Sequence, residues 1–190
     1  MDSSIIITFA IPLFFGLILI EFFYGILTRQ NNYRINDAIT SMSLGLISRF
    51  VPILGLGFQY VVYKAVAEHY NLKLLNGEEI WVWATAFVLY DLCYYWMHRI
   101  HHEIKVFWAT HVVHHHGEEF NLATALRQTS TGFLWKWVFF LPIFIIGIPP
   151  HMYVTVAGIN LVYQFWVHTE HIGRLGFLEY IFVTPSNHRV

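Results

Sequence analysis

The stretch "IWVWATAFVLYDLCYYWMHRIHHE", Ile80 to Glu103, decides how the rest of the chain is read. Its first part, Ile80 to Met97, is an apolar run of the length that a helix needs to cross lipid, about 20 residues at 1.5 Å each. It then runs directly into histidines. If the helix continues past the membrane interface, His98 and His102 stand four apart on one face, the spacing of a chelating pair. Nine residues on, "HVVHHH" sets His111, His114 and His115 at i, i+3 and i+4, again one face of a helix. Neutral imidazole nitrogens suit iron, zinc and copper, so two such elements facing one another could hold two metal ions. His101 and His116 are extra members beside patterns already complete.

Other apolar runs place that helix in a membrane bundle. With 56% hydrophobic and 12% charged residues among 190 and a mean hydropathy of +0.50, the composition is that of an integral membrane protein. Five runs qualify: Ile5 to Leu27; Ala38 to Ala67, interrupted by Pro52 and several glycines; Ile80 to Met97; Phe133 to Ile148; and Met152 to Val167. The expected fold is all-α, a polytopic helical bundle of about four or five spans with a histidine-rich cap on the cytoplasmic side. The first run, from about Ser4, is too long for a signal-peptide core, and no basic segment precedes it, so it reads as a span retained in the mature protein. The last two are short, joined by the tight turn "GIPPH", and form either a full hairpin or one that dips into the bilayer.

Cytoplasmic loops keep an excess of lysine and arginine. With the N-terminus outside, five crossings put Arg29, Arg34, Arg99, Lys105, Arg127, Lys136, Arg174 and Arg189 on one side, against Lys64 and Lys73 on the other, with Arg49 inside the second span. The same threading, made without reference to histidine, sends ten of the twelve histidines to the cytoplasmic side: His98, His101, His102, His111, His114, His115, His116, His168, His171 and His188. His69 and His151 stay outside. Residues this far apart in sequence therefore converge on one face.

Several other side chains bear on that site. His168 ends the fifth run as His98 follows the third. Asp91, seven before His98 on the same helical face, could orient a ligating imidazole, or could equally make a packing hydrogen bond. Asn121 reads as a helix N-cap and Arg127 as a side chain snorkelling to the interface; the functional alternative has Glu119, Asn121 and Arg127 lining a polar pocket. The single cysteine, Cys93, excludes a disulfide framework or a cysteine-based zinc site. A formal charge of -1 gives no basic field for nucleic acid.

The motifs "HRIHH", "HVVHHH" and "NHRV" resemble the fatty acid hydroxylase/sterol desaturase superfamily of membrane di-iron oxygenases, whose pattern is HxxxH, HxxHH and a later HxxHH. "YYWMHRIHHE", "NLATALRQ", "QFWVHTE" and "TPSNHRV" are similar to its ether-lipid branch, over about Asn36 to the C-terminus. The resemblance implies two domains' worth of organisation: an N-terminal transmembrane segment, 1–35, and an oxygenase-like domain, 36–190. It implies two non-haem iron ions held by His98, His102, His111, His114, His115, His168 and His188, with the first five as the catalytic core. It implies a lipid substrate hydroxylated or desaturated at a C–H bond with O2, including opening of alkylglycerol ether lipids. It implies an electron donor, either a tetrahydropterin or a redox protein. Two more histidines are expected immediately after Val190, so the chain is expected to be a fragment truncated at its C-terminus. The competing readings are a bis-histidine haem protein, a metal transporter and a non-catalytic membrane scaffold. Histidines at helix ends rather than deep in the spans argue against haem. The scarcity of ionisable residues inside the spans argues against transport.

Overall fold

A computed structural model describes residues 3–54, 58–75 and 77–189, with the side chains of 3–7, 49 and 51–54 outside the description. The fold is all-α, as expected, with helices α1 (Ser3–Thr28), α2 (Ile35–Leu54), α3 (Phe58–His69), α4 (Ile80–Glu103), α5 (Lys105–His115), α6 (Lys136–Ile146), α7 (Pro150–Trp166) and α8 (Pro185–His188). Short 3-10 turns fill in at Thr124–Leu126, Gly132–Leu134 and Gly176–Tyr180.

The continuous apolar run of α1 gives 26 helical residues, ended by Arg29 in the left-handed region at φ 59. The Gln30 amide then reaches back to the Gly25 carbonyl at 2.9 Å, satisfying a carbonyl the helix itself leaves open. Among the described residues, Thr8–Thr28 is the one helical stretch long and apolar enough to cross a membrane. The run expected as one interrupted second span is instead two helices, α2 of 20 residues and α3 of 12. Arg49, assigned to that span, has its side chain outside the described residues.

The decisive stretch is helical from Ile80 through Glu103 without a break. At 24 residues it is about 36 Å long, and its last turns, which follow the apolar part Ile80 to Met97, carry the histidines. One residue, Ile104, leaves the helix at φ -108, ψ 121, serving at once as the C-cap of α4 and the N-cap of α5. That single extended residue folds α5 back against α4.

Two cores follow. In the larger, Tyr63 of α3, Val82, Ala86, Tyr90 and Met97 of α4, Phe140, Ile143 and Phe144 of α6, and Met152 and Val156 of α7 pack together. In the smaller, Ala10, Phe14 and Ile18 of α1 meet Phe165 of α7 and Leu122, Ala123 and Ala125 of the loop after α5. Phe14 and Phe165 stack at 4.0 Å. The α6–α7 hairpin turns as "GIPPH" suggested: Gly147 sits at φ 125, a conformation side chains resist, and Pro150 opens α7. Residues 71–75 complete the turn, with the Leu72 and Leu74 amides donating to the Ile145 and Ile146 carbonyls at 2.8 and 3.0 Å. At 11 residues, about 16 Å, α6 is too short to cross a bilayer alone. On α2, Gly45 lets the helix close on the 124–126 turn, because a Cβ there would stand 2.4 Å from the Leu126 carbonyl oxygen.

Candidate metal centre

The α4–α5 fold-back brings the two helical histidine patterns face to face. His98 and His102 approach through their Nε2 atoms at 3.1 Å, and His111 and His115 do so at 3.0 Å. Across the two helices, the His98 and His111 rings lie 4.8 Å apart and those of His102 and His115 4.6 Å. One nitrogen from each of the four falls within 4.8 Å of all the others. His114, whose ring lies 5.5 Å from that of His111, groups instead with His168, just beyond α7, and His188 of α8 on the same criterion. There the Nε2 atoms are 3.1 Å apart for His114 and His168 and 3.2 Å for His168 and His188. The groups adjoin: the His98 and His188 rings are 6.1 Å apart.

The hydrogen bonds of the second group fix its chemistry. The Nδ1 of His114 faces the Arg127 carbonyl oxygen at 2.9 Å, and the Nδ1 of His168 faces the Gln164 carbonyl oxygen at 2.8 Å. A carbonyl can only accept, so both Nδ1 atoms carry the proton and both Nε2 atoms of the neutral rings are bare lone pairs. Two lone pairs facing at 3.1 Å repel one another, and a cation between them turns that repulsion into attraction. Such backbone-anchored imidazoles are the usual outer support of a metal ligand. The donor set therefore fits a borderline-soft transition metal such as iron.

The electrostatics favour the same form. Burial, reinforced by the neighbouring imidazoles, holds His98 down to about 3. Burial first, then His114 and His102, takes His115 down to about 4. His114 and His188 are held down to about 4, mainly by burial. Burial and adjacent histidines also push His111 and His168 well down. All are thus neutral, ligand-competent bases near pH 7. A stability consequence follows with a definite sign. An unfolded imidazole takes up its proton near 6.5, whereas these folded ones refuse it until about 4. Between those values the unfolded state binds more protons, so stability falls as pH falls. With chelator present, the thermal unfolding midpoint should be highest above pH 6.5, drop continuously to about pH 4 and go on falling below it, because His98 is held down to about 3. A midpoint flat across that window would contradict the neutral cluster.

The seven histidines singled out as ligands all lie in these two groups. The extras do not. His101 is 1% exposed, donates from Nδ1 to the Met97 carbonyl at 2.7 Å and has no partner at Nε2, but belongs to neither group. His116 follows α5 as its exposed C-cap, and His171 packs its ring edge-on to Tyr24 at 5.1 Å. Four expectations are corrected. Asp91 is exposed and takes no hydrogen bond from any of these histidines. The apolar face of α4 that packs inward is the one bearing Ala86, Tyr90 and Met97, leaving Asp91 outside. Arg127 does not snorkel to the interface; it is 5% exposed, with Nη1 3.1 Å from Asp37 and 3.0 Å from Ser41 and Nε 3.0 Å from the Val113 carbonyl. Glu119 pairs with Arg34 at 2.7 Å rather than lining a pocket with Arg127. Asn121 opens no α-helix: its Oδ1 accepts from the Ala123 and Thr124 amides at 3.0 and 3.3 Å and folds the loop just ahead of the 3-10 turn Thr124–Leu126, whose N-cap position is Ala123.

A cavity of about 280 Å³ opens on the histidines. Phe14, Met42, Leu46, Tyr94 and Phe165 are among its apolar walls, and His98, His111, His114, His168 and His188 line it as well. Sequence reasoning missed one buried carboxylate beside this site, Glu21 of α1. The available signal was a lone acidic residue inside an apolar helix, which demands partners.

The model of the family described as fatty acid hydroxylase matches residues 83–190, which include all seven histidines. Alkylglycerol monooxygenase of Danio rerio is 42% identical over 182 residues, 95% of this chain and 41% of that protein. The Homo sapiens protein of the same name is 41% identical over 182 residues, again 95% and 41%, and that of Caenorhabditis elegans 30% over 171, 90% and 34%. The chain thus spans about two-fifths of the length of the curated relatives it matches. No solved structure matches it. With more than half its length under the family model and its histidine motifs inside the matched region, the chain belongs to the fatty acid hydroxylase family.

Proposed function

We propose that this chain carries the metal site of a membrane-bound, non-haem di-iron oxygenase that hydroxylates or desaturates a lipid C–H bond with O2. Alkylglycerol ether lipids are the favoured substrate class, after the relatives' name. The observation that carries the reading is the pair of convergent imidazole groups at an apolar cavity. His98, His102, His111 and His115 would hold one ion and His114, His168 and His188 the other. Bound iron would supply the activation of dioxygen that breaking an unactivated C–H bond requires. The protein's part is to keep every Nε2 unprotonated and aimed inward, and to lay an alkyl chain along Phe14, Met42, Leu46 and Phe165. It also excludes water, so that oxidation falls on the chain. Hydroxylation beside an ether oxygen takes one oxygen atom from O2, the other leaving as water with two electrons and two protons from the reductant. The resulting hemiacetal breaks to a fatty aldehyde and a glycerol derivative. The reductant is a tetrahydropterin or a redox protein.

The same reading places the chain in a membrane as a multi-pass protein with the histidines on the cytoplasmic face. The apolar surface is extensive, with Phe9, Ile20, Leu27, Leu46, Ile80 and Val88 all more than half exposed. A water-soluble monomer rarely shows so much. Lipid contact would cover it, let the alkyl chain enter sideways and leave the histidines facing the reductant.

The test is metal content and an optical spectrum of the detergent-purified chain. Two non-haem metal ions per chain are expected. A Soret band would replace the oxygenase with a haem protein, and a folded, metal-free chain would make it a scaffold.

A further inference from the structure

Glu21 is 6% exposed near the end of α1, the helix that lies wholly outside the region matched by the family model. A carboxylate this deep is costly unless it is fully hydrogen-bonded. Its Oε2 accepts from the Tyr33 hydroxyl and, at 2.7 Å, from the Leu122 amide, while its Oε1 accepts from the Thr169 hydroxyl. The three donors come from three segments: the α1–α2 linker, the loop after α5 and the loop after α7.

Two of those donors adjoin the second histidine group. Thr169 follows His168 directly and is itself 5% exposed, and its hydroxyl also accepts from the His171 amide at 3.2 Å. Leu122 belongs to the loop whose Phe120 ring stacks on His168 at 5.7 Å and lies 6.1 Å from His188. The linker reinforces this junction. Asn32 donates to the Phe120 carbonyl and Asn121 to the Asn32 carbonyl, both at 2.8 Å. The first group is presented by α4 and α5.

We propose that Glu21 is a positioning residue for the second group. Through Thr169 and Leu122 it fixes His168 and the Phe120 ring that backs it, so the N-terminal helix is a working part of the metal centre. This rests on reading the histidines as metal ligands, while naming a residue outside every motif that led to that reading. A buried carboxylate could instead merely help the chain to fold, and the two roles separate when the metal sites are titrated individually.

Cobalt(II), whose visible absorption reports ligand geometry, is the probe, added to the detergent-purified, metal-stripped chain. His188→Ala identifies which of the two cobalt sites is the second group. In Thr169→Val the affinity of that site should fall about tenfold, the lower end of what loss of an outer support costs a metal site. In Glu21→Gln, where one donor must lose its acceptor, it should fall further, with a changed spectrum. The first site should keep its affinity and spectrum in both, and Thr169→Ser, which keeps the hydroxyl, should restore the second. Unchanged affinity at the second site in both variants overturns the positioning role. An equal fall at both sites, with loss of helicity, also overturns it by reducing Glu21 to a folding residue. A wild-type chain that binds no cobalt removes the metal reading itself, which is a different failure from either.

Discussion

Replacing His111 with alanine should take one metal ion from the chain and leave the other. Its ring stands between those of His98 and His102, 4.8 and 4.9 Å away, with its own Nε2 3.0 Å from that of His115. Among the four, His111 is the one that is buried, and its ring lies within 5 Å of all three others. Four-ligand transition-metal sites bind with roughly 10–16 kcal/mol, so one ligand contributes about 3 kcal/mol, on the order of a hundredfold in affinity. On the proposed di-metal reading, metal content should fall from two ions to one per chain. The neighbouring histidines serve as controls of opposite kinds. His116→Ala should change neither metal content nor stability, being exposed and outside both groups. His101→Ala should keep both metals and lower stability, because it empties a fully buried position. Full metal content in His111→Ala, measured by elemental analysis, would contradict the ligand assignment.

Arg127→Met should destabilise the fold by about 3–5 kcal/mol, the typical cost of leaving one half of a buried ion pair uncompensated. The Arg127 and Asp37 side chains are 6% and 12% exposed. The same guanidinium also holds Ser41 of α2 and the Val113 carbonyl near the end of α5. Removing it therefore strands a carboxylate and frees α2 from α5. Adding Asp37→Leu should recover much of the loss, since two apolar residues bury better than one orphaned charge. Arg34 offers the contrast: it pairs with Glu118 and Glu119 but is 58% exposed, and Arg34→Ala should cost no more than about 1 kcal/mol. Thermal unfolding of the single and double variants measures both effects, and additive losses from Arg127→Met and Asp37→Leu would contradict the coupling.

What could be read from the chain alone divides along the range of the interaction. The spacing of His98 and His102 and of His111, His114 and His115 is local, and helical geometry converts it directly into shared faces. His168 and His188 were also within reach, because a membrane threading assigns distant residues to one side without specifying contacts. The environment of Arg127 was not. Its partner Asp37 lies 90 residues away, and nothing at either position distinguishes a buried pair from two interfacial charges. The division of residues 38–67 into α2 and α3 left its mark in Pro52 and the glycines, but hydropathy alone reads the run as one apolar stretch. Glu21 had a visible anomaly but no visible partners, since its donors are a tyrosine phenol, a threonine hydroxyl and a backbone amide that no composition rule marks.

The two histidine groups also differ in how much chain they close. The first is built from residues 98 to 115, one helical hairpin with a single extended residue at its turn. The second joins His114 to His168 across 54 residues and His168 to His188 across 20. Closing a 54-residue loop costs about 3.5 kcal/mol of chain entropy beyond a constant term, and an ion bound there offsets that cost in the folded state. An ion in the first group steadies a hairpin that emerges early in synthesis. An ion bound by the second would hold together segments that lie far apart along the chain.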